Sequence, residues 1–198
     1  MMSGKGPSPA RLEAFSDGVI AVIITIMVLE IKVPRVDGLP GLRDLAPGLF
    51  IYLLSFSFTG IYWLNHQHLV RRVETAGHIV QCTNLGFLFC LSLLPLSTAY
   101  VVEKQLSGFA VAVYATSLLI AALSFLWLRL SVHSHLRGKD ALLEEDRKGL
   151  RAHIFCMAVY VACIFAAPVY PRLALGVIGV LTLLWTLPNL SLRDTKSR

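Results

Sequence analysis

The sequence predicts an all-α, polytopic membrane protein with six transmembrane helices in a single domain, and three observations predict it. Charge is scarce. Asp, Glu, Lys and Arg make up 15% of 198 residues against 56% hydrophobic residues, with a mean hydropathy of +0.67, whereas soluble domains carry about 25% charged residues. Five stretches, 45–64, 79–102, 105–128, 154–171 and 173–192, contain no charge at all, and each has the length of a membrane span of about 17–25 residues. A sixth apolar run, 19–31, precedes them. Finally, with six spans and both termini on one side, thirteen Lys and Arg fall on the terminal side and five on the other, which places both termini in the cytoplasm.

Taken in order, the first helix is expected to start before the membrane, with Ser8 as its cap and Pro9 at the first helical position. The opening residues are short and polar, and no small-residue cleavage site follows the apolar run, so this helix is expected to remain in the mature protein. Residues 34–47, rich in Gly and Pro, read as the external link to the second helix. The second helix ends in Trp63-Leu-Asn-His-Gln-His-Leu-Val-Arg-Arg72, which leads into a short cytoplasmic turn. The longest connection, 129–151, holds a mixed-charge run, 139–148, that reads as a short solvated helix. Helices five and six join through the tight Pro168-Val-Tyr-Pro-Arg172 turn, and Pro95 and Pro188 fall within spans, where neighbouring groups satisfy the carbonyl that a proline frees. The expected unit is 1–198 as one six-helix domain, with 1–9 and 190–198 as cytoplasmic tails. No internal repeat emerges, which weighs against an inverted-repeat transporter.

The first helix is the unusual one. Only residues 18–29 separate Asp17 from Glu30, about 18 Å of helix in a hydrocarbon core about 30 Å thick. A charge near mid-bilayer costs about 2.5–3.5 kcal/mol even on lenient scales, so both carboxylates should face protein or water. That puts the helix at the centre of an assembly. Val22, Thr25, Ile26 and Leu29 follow i, i+3, i+4, i+7 spacing and form one stripe. In a symmetric assembly this stripe would ring an axis with branched side chains and one hydroxyl level, a constriction of the kind that gates by dewetting. On spacing alone, ordinary packing of a buried helix is the better explanation of the stripe; the flanking Asp17 and Glu30 weigh against it and toward the ring.

A second constellation joins Arg11, Asp17, Trp63 and His66. Arg11 and Asp17 are six positions apart and do not stack as an i, i+4 pair would, so another helix must supply the partner of Asp17. His66 or Arg71 is the expected cation, with Asn84 as a further donor. The group reads either as a structural lock or as a proton switch centred on His66, since histidine titrates near neutral pH. His66 and His68 point about 200° apart on a helix and lack a completing carboxylate, so no metal site is expected. Ser16, Asp17 and His66 list the residue types of a hydrolase triad, yet adjacent Ser and Asp on one helix offer no nucleophile elbow or oxyanion hole. Cys82, Cys90, Cys156 and Cys163 lie in apolar spans without a paired motif and behave as small hydrophobes. The basic residues lack interleaved aromatics, so nucleic acid is not expected as a partner.

The run Arg11…Phe15-Ser16-Asp17-Gly18, followed by the aliphatic stripe and Leu29-Glu30-Ile31, resembles the signature first helix of the transmembrane protein 175 family, the potassium channels of lysosomes and their bacterial relatives. Trp63-Leu-Asn-His66, Asn84-Leu85 and Leu94-Pro95 look like that family's later markers in the right order. The resemblance covers about 10–189. It implies a passive, modestly potassium-over-sodium selective channel, with no enzymatic activity and no cofactor beyond the permeant K+. In the family the first helix lines the pore and no glycine-rich carbonyl filter is present. Carried over by position, the constriction falls on Val22, Ile26 and Leu29, with Thr25 as a hydroxyl layer and Glu30 at the pore mouth. Arg11, Phe15, Ser16, Asp17, Trp63, His66 and Asn84 would form the inner-leaflet polar lock. Val22 departs from the larger Ile or Leu that relatives commonly carry, which shifts the narrowest point toward Ile26 or Leu29. A single six-helix repeat resembles the bacterial form, a homotetramer in the plasma membrane. The rival from another class is a proton-coupled transporter using Asp17 and His66.

Overall fold

Seven helices in the computed structural model, which describes residues 9–73, 77–136 and 144–191, make up the six expected spans. They are α1 (Pro9–Leu29), α2 (Leu39–Val70), α3 (His78–Ser92), α4 (Leu94–Glu103), α5 (Gly108–His135), α6 (Glu144–Ala166) and α7 (Pro171–Ser191). No strand occurs among the described residues. The first five spans are long and apolar enough to cross a membrane, with α3 and α4 counting as one, and the described apolar part of the sixth is Pro171–Trp185. The all-helical reading of the sequence holds.

Residue chemistry explains most boundaries. Pro9 opens α1 and Pro171 opens α7, where a missing N–H costs nothing; the cap expected of Ser8 lies outside the described residues. The third span breaks at Leu93, whose N–H turns to the Cys90 carbonyl at 3.3 Å, because Pro95 two residues on has no N–H for the Leu91 carbonyl. Between α4 and α5 the chain reverses through Gln105 and Leu106, both in the left-handed region with φ of 50° and 58°. Residue 105 is thus in the turn, not the span. This turn docks on the α6–α7 turn so closely that a Cβ on Gly108 would stand 2.8 Å from the Pro168 backbone.

Two other expectations need correction. The link after α1 is 30–38, shorter than the expected 34–47. Pro40 sits in the first turn of α2 and Pro47 lies inside it; a proline in a first turn begins a helix instead of preventing one. Gly41 is where this link folds back, since a Cβ there would run into the Val36 carbonyl. The mixed-charge run is also not a separate helix in its described part: 144–148 form the opening of α6, while 139–143 lie outside the described residues.

Helix α5 is the hub of the bundle and packs against α2, α3, α4, α6 and α7. Tyr114, Leu118, Ala121, Ala122, Leu128 and Val132 on it are fully buried. Helix α1 instead lies on the outside, packed against α2, α3 and α4.

Candidate functional site

Helix α1 has two apolar faces with opposite fates. Leu12, Ser16, Ile20, Ile23 and Met27 are buried against the bundle. On the other face Phe15, Val22, Ile26 and Leu29 are 53%, 54%, 41% and 80% exposed, with Gly18 and Thr25 also exposed between them. The Thr25 hydroxyl donates to the Val22 carbonyl at 2.9 Å, which leaves its oxygen able to accept. Glu30 follows at the end of the helix, exposed. Beside this open face runs a groove of about 780 Å³, lined by Phe15, Gly18, Val22 and Ile26 on one side and by Pro95 and Leu96 on the other. All the stripe residues are therefore on one face, left largely open by the described residues of their own subunit.

The polar groups at the start of α1 fasten it to its neighbours. Trp63 Nε1 on α2 donates to Asp17 Oδ1 at 2.8 Å. Arg71 Nε on α2 donates to Glu13 Oε1 at 2.9 Å. Ser16 Oγ donates to the Leu12 carbonyl at 2.8 Å and accepts from Asn84 Nδ2 on α3 at 3.0 Å. Asn84 Oδ1 in turn lies 2.7 Å from His66 Nε2. Because the Asn84 amide N–H is committed to Ser16, its oxygen faces His66, and Nε2 must carry the imidazole proton. His66 Nδ1 is then a bare acceptor, buried without a partner, while the ring stacks on Phe87 at 5.9 Å. Ser16, His66 and Asn84 are completely buried, so this chain is paid for only if each member is bonded.

Of the seven expected lock residues, the fold engages five in two separate chains, Trp63 with Asp17 and Ser16 with Asn84 and His66. It does not bring in Arg11 or Phe15, which lie on the open face; no described residue of the same subunit pairs with Arg11. The partner expected for Asp17 also differs. The donor is the Trp63 indole, while His66 is taken by Asn84, and Arg71 by Glu13. Position decides this: Trp63 sits one to two turns deeper on α2 than His66 or Arg71, level with Asp17. Asn84 stands between Ser16 and His66, bonded to each, so the serine–histidine bond of a triad is not formed. His66 is buried and His68 exposed, as their 200° separation requires, and no group of three or more metal-ligating side chains is gathered among the described residues. The four cysteines are free. Glu13 was overlooked in the sequence because a carboxylate in a first or second helical turn usually serves the helix dipole.

Comparison with known proteins bears on the same region. The family model described as "Endosomal/lysosomal potassium channel TMEM175" matches residues 11–95, a segment that contains every residue of the stripe and the lock. A potassium channel of Chryseobacterium sp. (strain P1-3) is 36% identical over 179 residues, covering 90% of this chain and 93% of that one. The chain belongs to the TMEM175 family. Among solved structures, the crystal structure of a lysosomal potassium-selective channel TMEM175 homolog from Chamaesiphon minutus superposes with a TM-score of 0.79 at 28% identity, covering 91% of this chain and 97% of that one. The zebrafish endosomal/lysosomal proton channel TMEM175 is 28% identical over 183 residues, 85% of this chain but 34% of its own length. This TMEM175 member thus corresponds to nearly the full length of the Chryseobacterium and Chamaesiphon proteins and to about a third of the zebrafish one.

Proposed function

We propose that this TMEM175 member is a passive potassium channel and not an enzyme. Four copies of the 198-residue domain would assemble with their α1 helices around a common axis. The observation that carries the reading is the open face of α1, where Val22, Ile26 and Leu29 remain 54%, 41% and 80% exposed while Ile20, Ile23 and Met27 on the same helix are at most 3% exposed. An apolar stripe flanked by Asp17 and Glu30 is a poor lipid-facing surface, and copies of itself around an axis would give both carboxylates water or protein. The names of the bacterial relatives, each a potassium channel, support K+ as the ion.

In this arrangement Ile26 and Leu29 form the neck, Val22 a wider ring one turn below, Thr25 a level of hydroxyl oxygens, and Glu30 the mouth. A narrow aliphatic neck offers few oxygens in exchange for a hydration shell. Potassium gives up its shell at lower cost than sodium, so such a neck favours potassium modestly, and it closes to both ions when it dewets. Glu13, Ser16 and Asp17 with their partners Arg71, Asn84 and Trp63 then serve as the lock that fixes the orientation of α1 at one end. The excess of basic residues at that end supports a plasma-membrane orientation with both termini in the cytoplasm. Asp17 and His66 belong to separate hydrogen-bond chains, which gives no support to a relay between them.

The test is ion flux into liposomes containing the purified protein, with potassium and sodium compared, alongside its native mass. The expected result is an assembly of four 21.8 kDa subunits that passes potassium faster than sodium without a proton gradient. A monomer that conducts, or a flux that saturates and demands protons, would overturn the reading.

A further inference from the structure

Away from α1, a cavity of about 340 Å³ opens among α2, α5, α6 and α7. Its deep part is aromatic and aliphatic, with Phe58, Tyr160 and Leu181, and its shallow part is polar, with Asn65, His153 and Arg129. A smaller cavity of about 110 Å³ adjoins it and shares Asn65, Phe125 and Arg129, adding His68 and Arg72 at the basic end of the bundle. No carboxylate lines either cavity among the described residues. Arg72 and Arg129 are each already engaged within the protein, but a guanidinium carries five N–H donors in a fork suited to phosphate and serves more than one partner.

Depth decides the class of ligand. From Phe58 to Arg72 along α2 is about 21 Å at 1.5 Å per residue, a large part of a hydrocarbon core about 30 Å thick. A free phosphate would use only the shallow cationic end and leave the apolar end empty. A molecule with an anionic head and a long apolar tail uses both, and basic pockets between helices at the cytoplasmic side are where such headgroups bind.

We propose that the two joined cavities bind one anionic phospholipid per subunit, with its phosphate between Arg72 and Arg129 and an acyl chain running past Asn65 toward Phe58 and Tyr160. Only the choice of leaflet rests on the orientation proposed above; binding itself is independent of which ion the protein conducts.

Native mass spectrometry of the full-length protein tests this, after titration with phosphatidylglycerol or with phosphatidylcholine of the same chains. Retention of phosphatidylglycerol at one per subunit, with little phosphatidylcholine, is expected. Arg72→Gln and Arg129→Gln should each weaken it about fivefold. Ile61→Trp, which keeps both arginines but fills the deeper cavity that Ile61 lines, should weaken it as much. Millimolar inorganic phosphate should not displace the lipid. Equal retention of the two lipids, full displacement by phosphate, or unchanged retention in Ile61→Trp would each overturn the proposal, the last by reducing it to surface charge. Should Arg129→Gln fail to fold, Arg72→Gln and Ile61→Trp decide the matter alone.

Discussion

The two faces of α1 are built from the same kinds of residue yet differ in what covers them. Ile20, Ile23 and Met27 are buried by α2, α3 and α4, whereas Val22, Ile26 and Leu29, one or two positions away, stay largely open among the described residues of their own subunit. Burial of one apolar face is sufficient to hold a helix on a bundle. A second apolar face on a helix with a carboxylate at each end therefore answers to something outside the subunit. Stability of this helix rests on its buried face and, in the proposed assembly, ion conduction on its open one, so substitutions can separate the two.

The largest expected effect is Met27→Ala. Met27 is completely buried, and truncating such a side chain costs about 2–5 kcal/mol. Leu29→Ala, two residues on but 80% exposed, should change subunit stability by less than about 0.5 kcal/mol. Thermal melts of the two variants in one detergent would expose the contrast, and equal losses would break it. Next in size is the lock. Trp63→Phe removes the indole donor that lies 2.8 Å from Asp17 and should cost about 1–3 kcal/mol. Asp17→Asn keeps an acceptor for that indole and should cost less than Trp63→Phe in the same melts. Arg11→Ala, with no partner among the described residues of the subunit, should leave the melt of the isolated subunit unchanged and reduce the tetrameric fraction in native mass measurements, which sharpens the division between the two faces. The smallest effect is Thr25→Ala. Its hydroxyl satisfies only its own helix, so assembly should be unaffected while the potassium-to-sodium ratio of liposome flux shifts.

Much of this was legible in the residues. Six spans follow from the distribution of charge, and the stripe from i, i+3, i+4, i+7 spacing, because both depend on local pattern alone. The break at Leu93 was foreshadowed by Pro95. What the sequence did not reveal depends on depth and register between helices. Asp17 was expected to find a cation, and instead finds the Trp63 indole, because a donor's level in the membrane depends on how α2 is set against α1. For the same reason Arg71 meets Glu13 and His66 meets Asn84. Arg11 and Phe15, joined to Ser16 and Asp17 by their motif, are separated from them by helical rotation: 11, 15, 18 and 22 share the open face, 12, 16 and 20 the buried one. The start of α2 lies earlier than the prolines suggest, because a helix accepts Pro40 in its first turn and a span tolerates Pro47 further in, where neighbouring groups satisfy the freed carbonyl.

The central claim is that the open face of α1 lines the ion pathway, and reversal potentials under bi-ionic potassium and sodium test it most directly. Ile26→Ala and Leu29→Ala widen the proposed neck and allow sodium to keep more of its water, so both should raise conductance and move the reversal potential toward that of an unselective pore, with Val22→Ala doing less. Reversal potentials identical to that of the unmodified protein in Ile26→Ala and Leu29→Ala, with assembly intact, would contradict the claim.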